Sequence, residues 1–243
     1  QYIMTTLEEL GLLKMDFLGL RTLTVIQNAQ ELVNRNGKIL DIHQIDYNDK
    51  AVLDHIGTGH TEGIFQLESG GMKNFMKELK PQSLEDIIAG ISLYRPGPMD
   101  FIPKYIRGKN NQNAITYDCP ALEPILEPTY GCMVYQEQVM QIVRDLAGYS
   151  LGRSDLVRRA MSKKKMAVME KERKNFVYGN EEEGVKGCIN NGISEEVANK
   201  IYDEMIDFAK YAFNKSHAAC YAVVAYQTAY LKHYYPVEYM AAL

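Results

Sequence analysis

Arg158 and Arg159, followed by Lys163, Lys164 and Lys165, are the residues whose types and spacing best suit a chemical task, that of holding phosphate. A guanidinium donates paired hydrogen bonds to phosphate oxygens and an ammonium adds a mobile point charge, so two arginines ahead of three lysines make a cationic clamp. The group lies within residues 153–174, where nine Lys/Arg (Arg153, Arg158, Arg159, Lys163, Lys164, Lys165, Lys171, Arg173, Lys174) meet three acids (Asp155, Glu170, Glu172), in a chain of net charge -4. Such a concentration of charge focuses polyanions onto one surface. On a helix, Leu156, Val157, Ala160 and Met161 share one side, and Arg158, Arg159, Ser162 and Lys163 the other. A solvated helix face is the competing explanation. A membrane-surface helix fits less well, because the apolar side is narrow and lacks large aromatics.

Three further groups invite a chemical reading. Lys14 and Asp16 alternate on one face of an apparent strand, placing one metal ligand beside one phosphate contact, although a surface ion pair gives the same pattern. Two-metal phosphoryl chemistry needs more converging carboxylates, and the chain has no Asp-x-Asp. At Asn214-Lys215-Ser216-His217, Ser216 is a good N-cap, and a phosphate there would meet backbone N–H donors beside Lys215 and His217; an ordinary cap explains the residues as well. In Tyr94-Arg95-Pro96-Gly97-Pro98 the rigid backbone would fix Arg95 before any ligand arrives, or form only a structural turn.

The elements that position these groups are mainly helical. A capping box of Thr6 and Glu9 predicts a short helix, and residues 12–18 read as a strand with Leu13, Met15 and Phe17 on one face. Thr22 can cap a helix bearing Val25, Ile26, Ala29, Leu32 and Val33. Residues 64–67 read as extended, Ser69 opens a helix to Leu79, and Ser83 with Asp86 opens another that must end before Pro96. Six of eight prolines fall in residues 96–128, predicting a loop-rich crossing made basic by Lys104, Arg107 and Lys109. Beyond it come a helix from about Gln136, the basic helix, a helix from Ser194, a long helix over residues 216–235, and one more beginning near Pro236. The fold class is mainly α, with a few short strands.

Composition narrows the class further. An apolar fraction of 46% with 24% charged residues describes a globular chain with a substantial core. Cys119, Cys132, Cys188 and Cys220 form no C-x-x-C pair, which disfavours zinc and a disulfide framework and predicts reduced thiols in the cytoplasm. The stretch 218–231 is too short and polar to span a bilayer, so no membrane partner is expected. The chain opens at Gln1 and stops inside an apparent helix, as a piece of a longer polypeptide would.

Read in order, Lys14-Met15-Asp16-Phe17-Leu18-Gly19-Leu20, Phe65-Gln66-Leu67-Glu68-Ser69, Tyr94-Arg95-Pro96-Gly97-Pro98, Tyr135-Gln136-Glu137-Gln138-Val139-Met140, Arg158-Arg159-Ala160-Met161 with its lysines, and Asn214-Lys215-Ser216-His217 resemble the signature set of the bacterial replicative DNA polymerase III alpha subunits, the C family of DNA polymerases. The resemblance covers essentially the whole chain. It implies that residues 1–20 are the C-terminal edge of the palm domain, including its last strand, and residues 21–243 most of a multi-helix fingers domain. It also implies that the chain is part of a DNA-directed DNA polymerase adding deoxynucleotides to a primer 3'-end with Mg2+.

By that resemblance Asp16 is a catalytic carboxylate and metal ligand, with its two partners in a palm segment outside this chain, and Lys14 lies beside the primer end or triphosphate. Arg158 and Arg159 contact the incoming nucleoside triphosphate. Lys163 and the Asn214, Lys215, Ser216 and His217 group are candidate nucleotide contacts, and Arg95, Lys104, Arg107, Lys164 and Lys165 are candidate contacts to DNA or phosphate. Ser162 stands where relatives usually have Gly. Primer-template DNA is an implied partner, as are a sliding clamp and a proofreading exonuclease acting on the intact subunit; the segment alone is expected to be inactive. A non-catalytic helical module that binds nucleic acid, and a purely structural helical domain, remain as alternatives.

Overall fold

The computed structural model describes every residue except Gln1, Lys14, Asp16, Lys164 and Lys210. The described residues form thirteen α-helices: α1 (Met4–Glu9), α2 (Arg21–Arg35), α3 (Lys50–Gly57), α4 (Gly70–Leu79), α5 (Leu84–Leu93), α6 (Ile102–Asn110), α7 (Glu123–Leu126), α8 (Gln136–Ala147), α9 (Leu151–Ser162), α10 (Met166–Tyr178), α11 (Glu195–Ala209), α12 (Lys215–Tyr234) and α13 (Pro236–Ala242). Strand pairing among them is confined to two isolated bridges, Tyr135 with Phe213 and Asn180 with Val185. The fold is mainly α, as the sequence pattern indicates. No described helix is long and apolar enough to cross a membrane.

Helix α12 organises one half of the molecule. Ala218, Ala222, Ala225 and Ala229 are fully buried on it, and their small side chains let α5 lie close alongside. Helix α5 is correspondingly buried on every side from Asp86 to Leu93, as expected of a helix carrying Ile87, Ile88, Ile91 and Leu93 around its circumference. Helices α3 and α4 close this core with Val52, Leu53, Ile56, Phe75 and Met76. Past that core, α2 buries Val25, Ile26, Ala29 and Val33 at helical spacing against Leu231 of α12 and Tyr239 of α13. A separate core joins α8, α9, α10 and α11 through Ile142, Val143, Leu146, Val157, Phe176, Ile201 and Tyr202.

Several expectations are corrected. Residues 12, 13, 15, 17 and 18 form no strand, and Leu13, Phe17 and Leu18 are 85%, 93% and 94% exposed; a strand needs a neighbour to complete its ladder, and none lies beside them among the described residues. Residues 64–67 turn instead of extending, with Gln66 at a φ of 65°. Helix α1 starts before Thr6, and α2 starts at Arg21 after Leu20, without a side-chain cap from Thr22.

The proline-rich crossing is also more ordered than expected. Pro98, Pro103, Pro120, Pro124 and Pro128 each stand in the first turn of a short helical segment, where the missing N–H would have no intrahelical partner and the fixed φ is already helical. Gly108 of α6 packs against the corner at Tyr130, where a Cβ would lie 2.7 Å from the Tyr130 carbonyl oxygen. Ser69 and Ser83 cap α4 and α5 as expected, accepting from Met72 N and Asp86 N.

Candidate functional site

The basic run is split between two helices. Gly148 ends α8 in a left-handed conformation at φ 77°, and Ser150 then caps α9 by accepting from Arg153 N. Val157, Ala160 and Met161 are buried, which turns Arg158, Arg159 and Asp155 together on another face; Leu156 is 65% exposed and does not share the apolar side assigned to it. The chain leaves the helix at Lys163, and Lys165 is the N-cap of α10, so Lys163 and Lys165 stand between two helices and do not extend one continuous basic helix. Lysines at the carboxyl end of α9 meet its negative pole.

The described cations of the run do not act as one patch. Arg153 points inward to Glu172, at 2.8 Å, and to Glu183, while Lys171 lies 2.5 Å from Glu183. The Lys171 ammonium and the Arg153 guanidinium hold the Glu183 carboxyl below its ordinary range. Tyr149 Oη donates to Glu172 Oε2 at 3.0 Å in the same network. Arg173 pairs with Asp203 and lies over the Tyr202 ring. These contacts pin α9, α10 and α11 to one another. Arg159, Lys163, Lys165 and Lys174 remain exposed.

Arg158 and Arg159 share one carboxylate. Arg158 donates from Nε at 3.0 Å and Nη2 at 2.7 Å to Asp155 Oδ1, and Arg159 Nε lies 2.6 Å from Asp155 Oδ2. The Arg158 guanidinium, with Arg159 beside it, holds the Asp155 carboxyl below its ordinary range. Arg158 also donates from Nη1 to Gln136 Oε1 at 3.0 Å. Gln136 is the first residue of α8, and its own Nε2 donates to Ala212 O at 2.9 Å while its backbone N donates to Phe213 O at 2.9 Å. The arginine pair is thus hydrogen-bonded through one glutamine to the strand-like contact that leads into α12.

The helix start at residues 214–217 differs in detail from expectation. Asn214, and not Ser216, is the N-cap of α12, accepting from His217 N at 2.9 Å. Lys215 N donates to both carboxylate oxygens of Glu137, each at 3.1 Å, so a protein carboxylate already occupies donor space at this terminus. Lys215 Nζ lies 3.1 Å from Glu85 and over the Tyr135 ring. Ser216 is exposed within the first turn.

Three motifs far apart in the sequence meet at one cavity of about 380 Å³. Gln66 and Ser69 line it from one side, Tyr94 and Arg95 from another, and Phe213, His217 and Tyr221 from the start of α12. Arg95 lies over the Phe213 ring at 4.5 Å, and the His217 ring stands 4.4 Å from Tyr221 and 5.4 Å from Phe213. This is an aromatic wall carrying a cation, a combination that can stack a flat ring and neutralise a phosphate.

The other candidates are not gathered there. Arg107 is exposed on α6. Lys104 lines a different cavity, of about 220 Å³, beside Glu204 and Asp207, and burial, with Asp118 adding to it, pushes the Glu204 carboxyl upward. Lys14, Asp16 and Lys164 lie outside the described residues. Among the described residues no group of three His, Cys, Asp or Glu side chains is placed to hold a metal ion. Sequence reasoning missed Asp155 and Gln136. Asp155 entered only as a charge to subtract, although its spacing of three and four residues from the two arginines was a usable signal.

A family model described as the bacterial DNA polymerase III alpha subunit finger domain matches residues 22–184. The chain belongs to this family. Among DNA polymerase III alpha subunits, that of Thermus aquaticus is 52% identical over 249 residues, covering 100% of this chain and 20% of the relative. The subunits of Halalkalibacterium halodurans and Bacillus subtilis are 49% and 47% identical over 244 residues each, again covering 100% of this chain and 21% of each relative. The chain therefore spans about a fifth of the length of the curated DNA polymerase III alpha subunits it matches.

Proposed function

We propose that this chain is the palm edge and fingers of a DNA-directed DNA polymerase, with residues 1–20 belonging to the palm and residues 21–243 to the fingers. The intact protein would add deoxynucleotides to a primer 3'-end in bacterial chromosome replication. The observation that carries the reading is the Arg158–Arg159 pair, ordered on Asp155 at one end of α9 within a chain of this family. Two guanidiniums at one position match the charge and oxygen geometry of a nucleoside triphosphate, and they stabilise charge moving onto the leaving pyrophosphate.

Lys163 and Lys165, with Lys164, add field beside the pair. The cavity walled by Arg95, Phe213 and His217 suits the base or strand end of the substrate, with Asn214, Lys215 and Ser216 forming the helix start that positions His217. Arg107 and Lys104 are assigned to DNA backbone. Asp16 is assigned as one ligand of Mg2+ and Lys14 as its phosphate-side neighbour, in a site completed by carboxylates from elsewhere in the parent. The described residues do not form such a site by themselves. The exposure of Leu13, Phe17 and Leu18 supports packing of this stretch on the rest of a longer polypeptide. Primer-template DNA and deoxynucleoside triphosphates are the proposed substrates, a sliding clamp and a proofreading exonuclease the proposed partners of the intact subunit, and the cytoplasm its compartment.

Arg158→Ala with Arg159→Ala in the full-length protein tests the assignment. Loss of two charge-assisted contacts should raise the nucleotide KM by at least about tenfold and lower primer extension. Unchanged nucleotide affinity and turnover would overturn it. The isolated chain should extend no primer; salt-sensitive DNA binding without nucleotide dependence in the full-length protein would instead favour a binding module.

A further inference from the structure

Asp155 has a place in the clamp that its charge alone does not explain. It lies on the same helix face as both arginines and divides its two oxygens between them, Oδ1 to Arg158 and Oδ2 to Arg159. Each contact uses the Nε side of a guanidinium. Arg158 is restrained from a second direction by Gln136 of α8, which is itself fixed on Ala212. The exposures follow the restraints: the Arg158 side chain is 20% exposed and that of Arg159, held by its contact with Asp155, 62% exposed. Arg158 is therefore held from two directions, while Arg159 makes a single, more exposed contact that restrains it less.

We propose that Asp155 is a positioning residue for nucleotide binding, which sets Arg158 and Arg159 as an ordered pair before the triphosphate arrives, with Gln136 as the second tether on Arg158. The inference rests on the reading of Arg158 and Arg159 as triphosphate contacts. Its physical basis is preorganisation. An arginine carries several rotatable bonds, and fixing it in advance removes that ordering from the binding step. Asp155 also repels the incoming phosphate, so its net effect depends on whether ordering or repulsion dominates. The division of its oxygens between two guanidiniums favours ordering, because the pair neutralises the carboxylate that holds it.

The test uses the full-length protein and single-turnover primer extension at varied deoxynucleotide concentration. Asp155→Ala should weaken nucleotide binding about threefold to tenfold, the effect of leaving one or two long side chains to be ordered on binding, and leave primer-template affinity unchanged. Asp155→Asn keeps one acceptor oxygen but turns an NH2 toward the other guanidinium, so it should recover only part of the loss, through one arginine. Gln136→Ala should weaken nucleotide binding in the same direction through Arg158 alone. In a background of Arg158→Ala with Arg159→Ala, Asp155→Ala should have little further effect.

Nucleotide binding by Asp155→Ala that is unchanged or tighter would overturn the proposal and mark the carboxylate as a competing anion. A loss that persists undiminished without the arginines would also overturn it, because the effect would then take another route. No nucleotide effect from the arginine variants themselves is a different failure, that of the triphosphate assignment. If Asp155→Ala lowers the melting temperature, Asp155→Asn and Gln136→Ala decide by the same assay.

Discussion

Lys109 Nζ lies 3.3 Å from Asp86 Oδ2, and the two side chains are 5% and 4% exposed. In the sequence Lys109 adds to a basic crossing. In the structure it is an internal counter-ion that joins the last turn of α6 to the first turn of α5. Its ammonium also donates to Lys80 O at 3.1 Å, where the chain turns left-handed at φ 45°, and Asp86 accepts from Gln82 N at 2.8 Å. Three backbone segments therefore converge on one ion pair.

Removing one member leaves the other charged and buried. Asp86→Ala should destabilise the protein by about 3–5 kcal/mol, as measured by urea denaturation, and Lys109→Ala by a comparable amount. The double variant should lose less than the two single losses added together, since neither charge is then orphaned. A loss below about 1 kcal/mol in both single variants would show that water solvates the pair.

The cap of α12 gives a sharper comparison, because two candidate residues stand two positions apart. Asn214 Oδ1 accepts from His217 N, whereas Ser216 lies inside the helix. Asn214→Ala should therefore cost about 1 kcal/mol and Ser216→Ala only a few tenths. Equal losses in thermal denaturation would mean that the helix starts elsewhere. Because Glu137 contacts Lys215 N at the same terminus, Asn214→Ala should also loosen the junction between α8 and α12.

What could be read in the sequence was local. Helical spacing in residues 25–33 and serine caps at Ser69 and Ser83 depend on neighbours within a few residues, and these are the parts found as expected. The proline-rich stretch misled because a proline signals a helix start as readily as a break, and only the following residues' packing decides which. Lys109 and Arg153 misled for a different reason. Their partners, Asp86 and Glu183, lie 23 and 30 residues away in the chain, and no spacing rule reaches that far. The cavity at Phe213 was invisible as a unit for the same reason, although each motif that lines it stood out.

A pH dependence follows from His55 and His233, whose Nδ1 atoms lie 3.0 Å apart between α3 and α12. One ring must donate and the other accept, so the contact requires at least one neutral imidazole. Burial lowers the pKa of His55 below its ordinary value, with the Lys232 and His233 charges acting in the same direction. The unfolded chain therefore binds a proton that the folded chain refuses. Stability is fully present above the unfolded histidine value of about 6.5 and is lost as pH falls through the window below it toward the folded value. Denaturation midpoints measured from pH 7.5 down to pH 5 should fall, and His55→Gln should flatten that part of the curve. Parallel curves for the two proteins would show that His55 does not set the dependence, leaving carboxylates such as Glu183, whose depressed pKa withdraws stability only at lower pH, as its source.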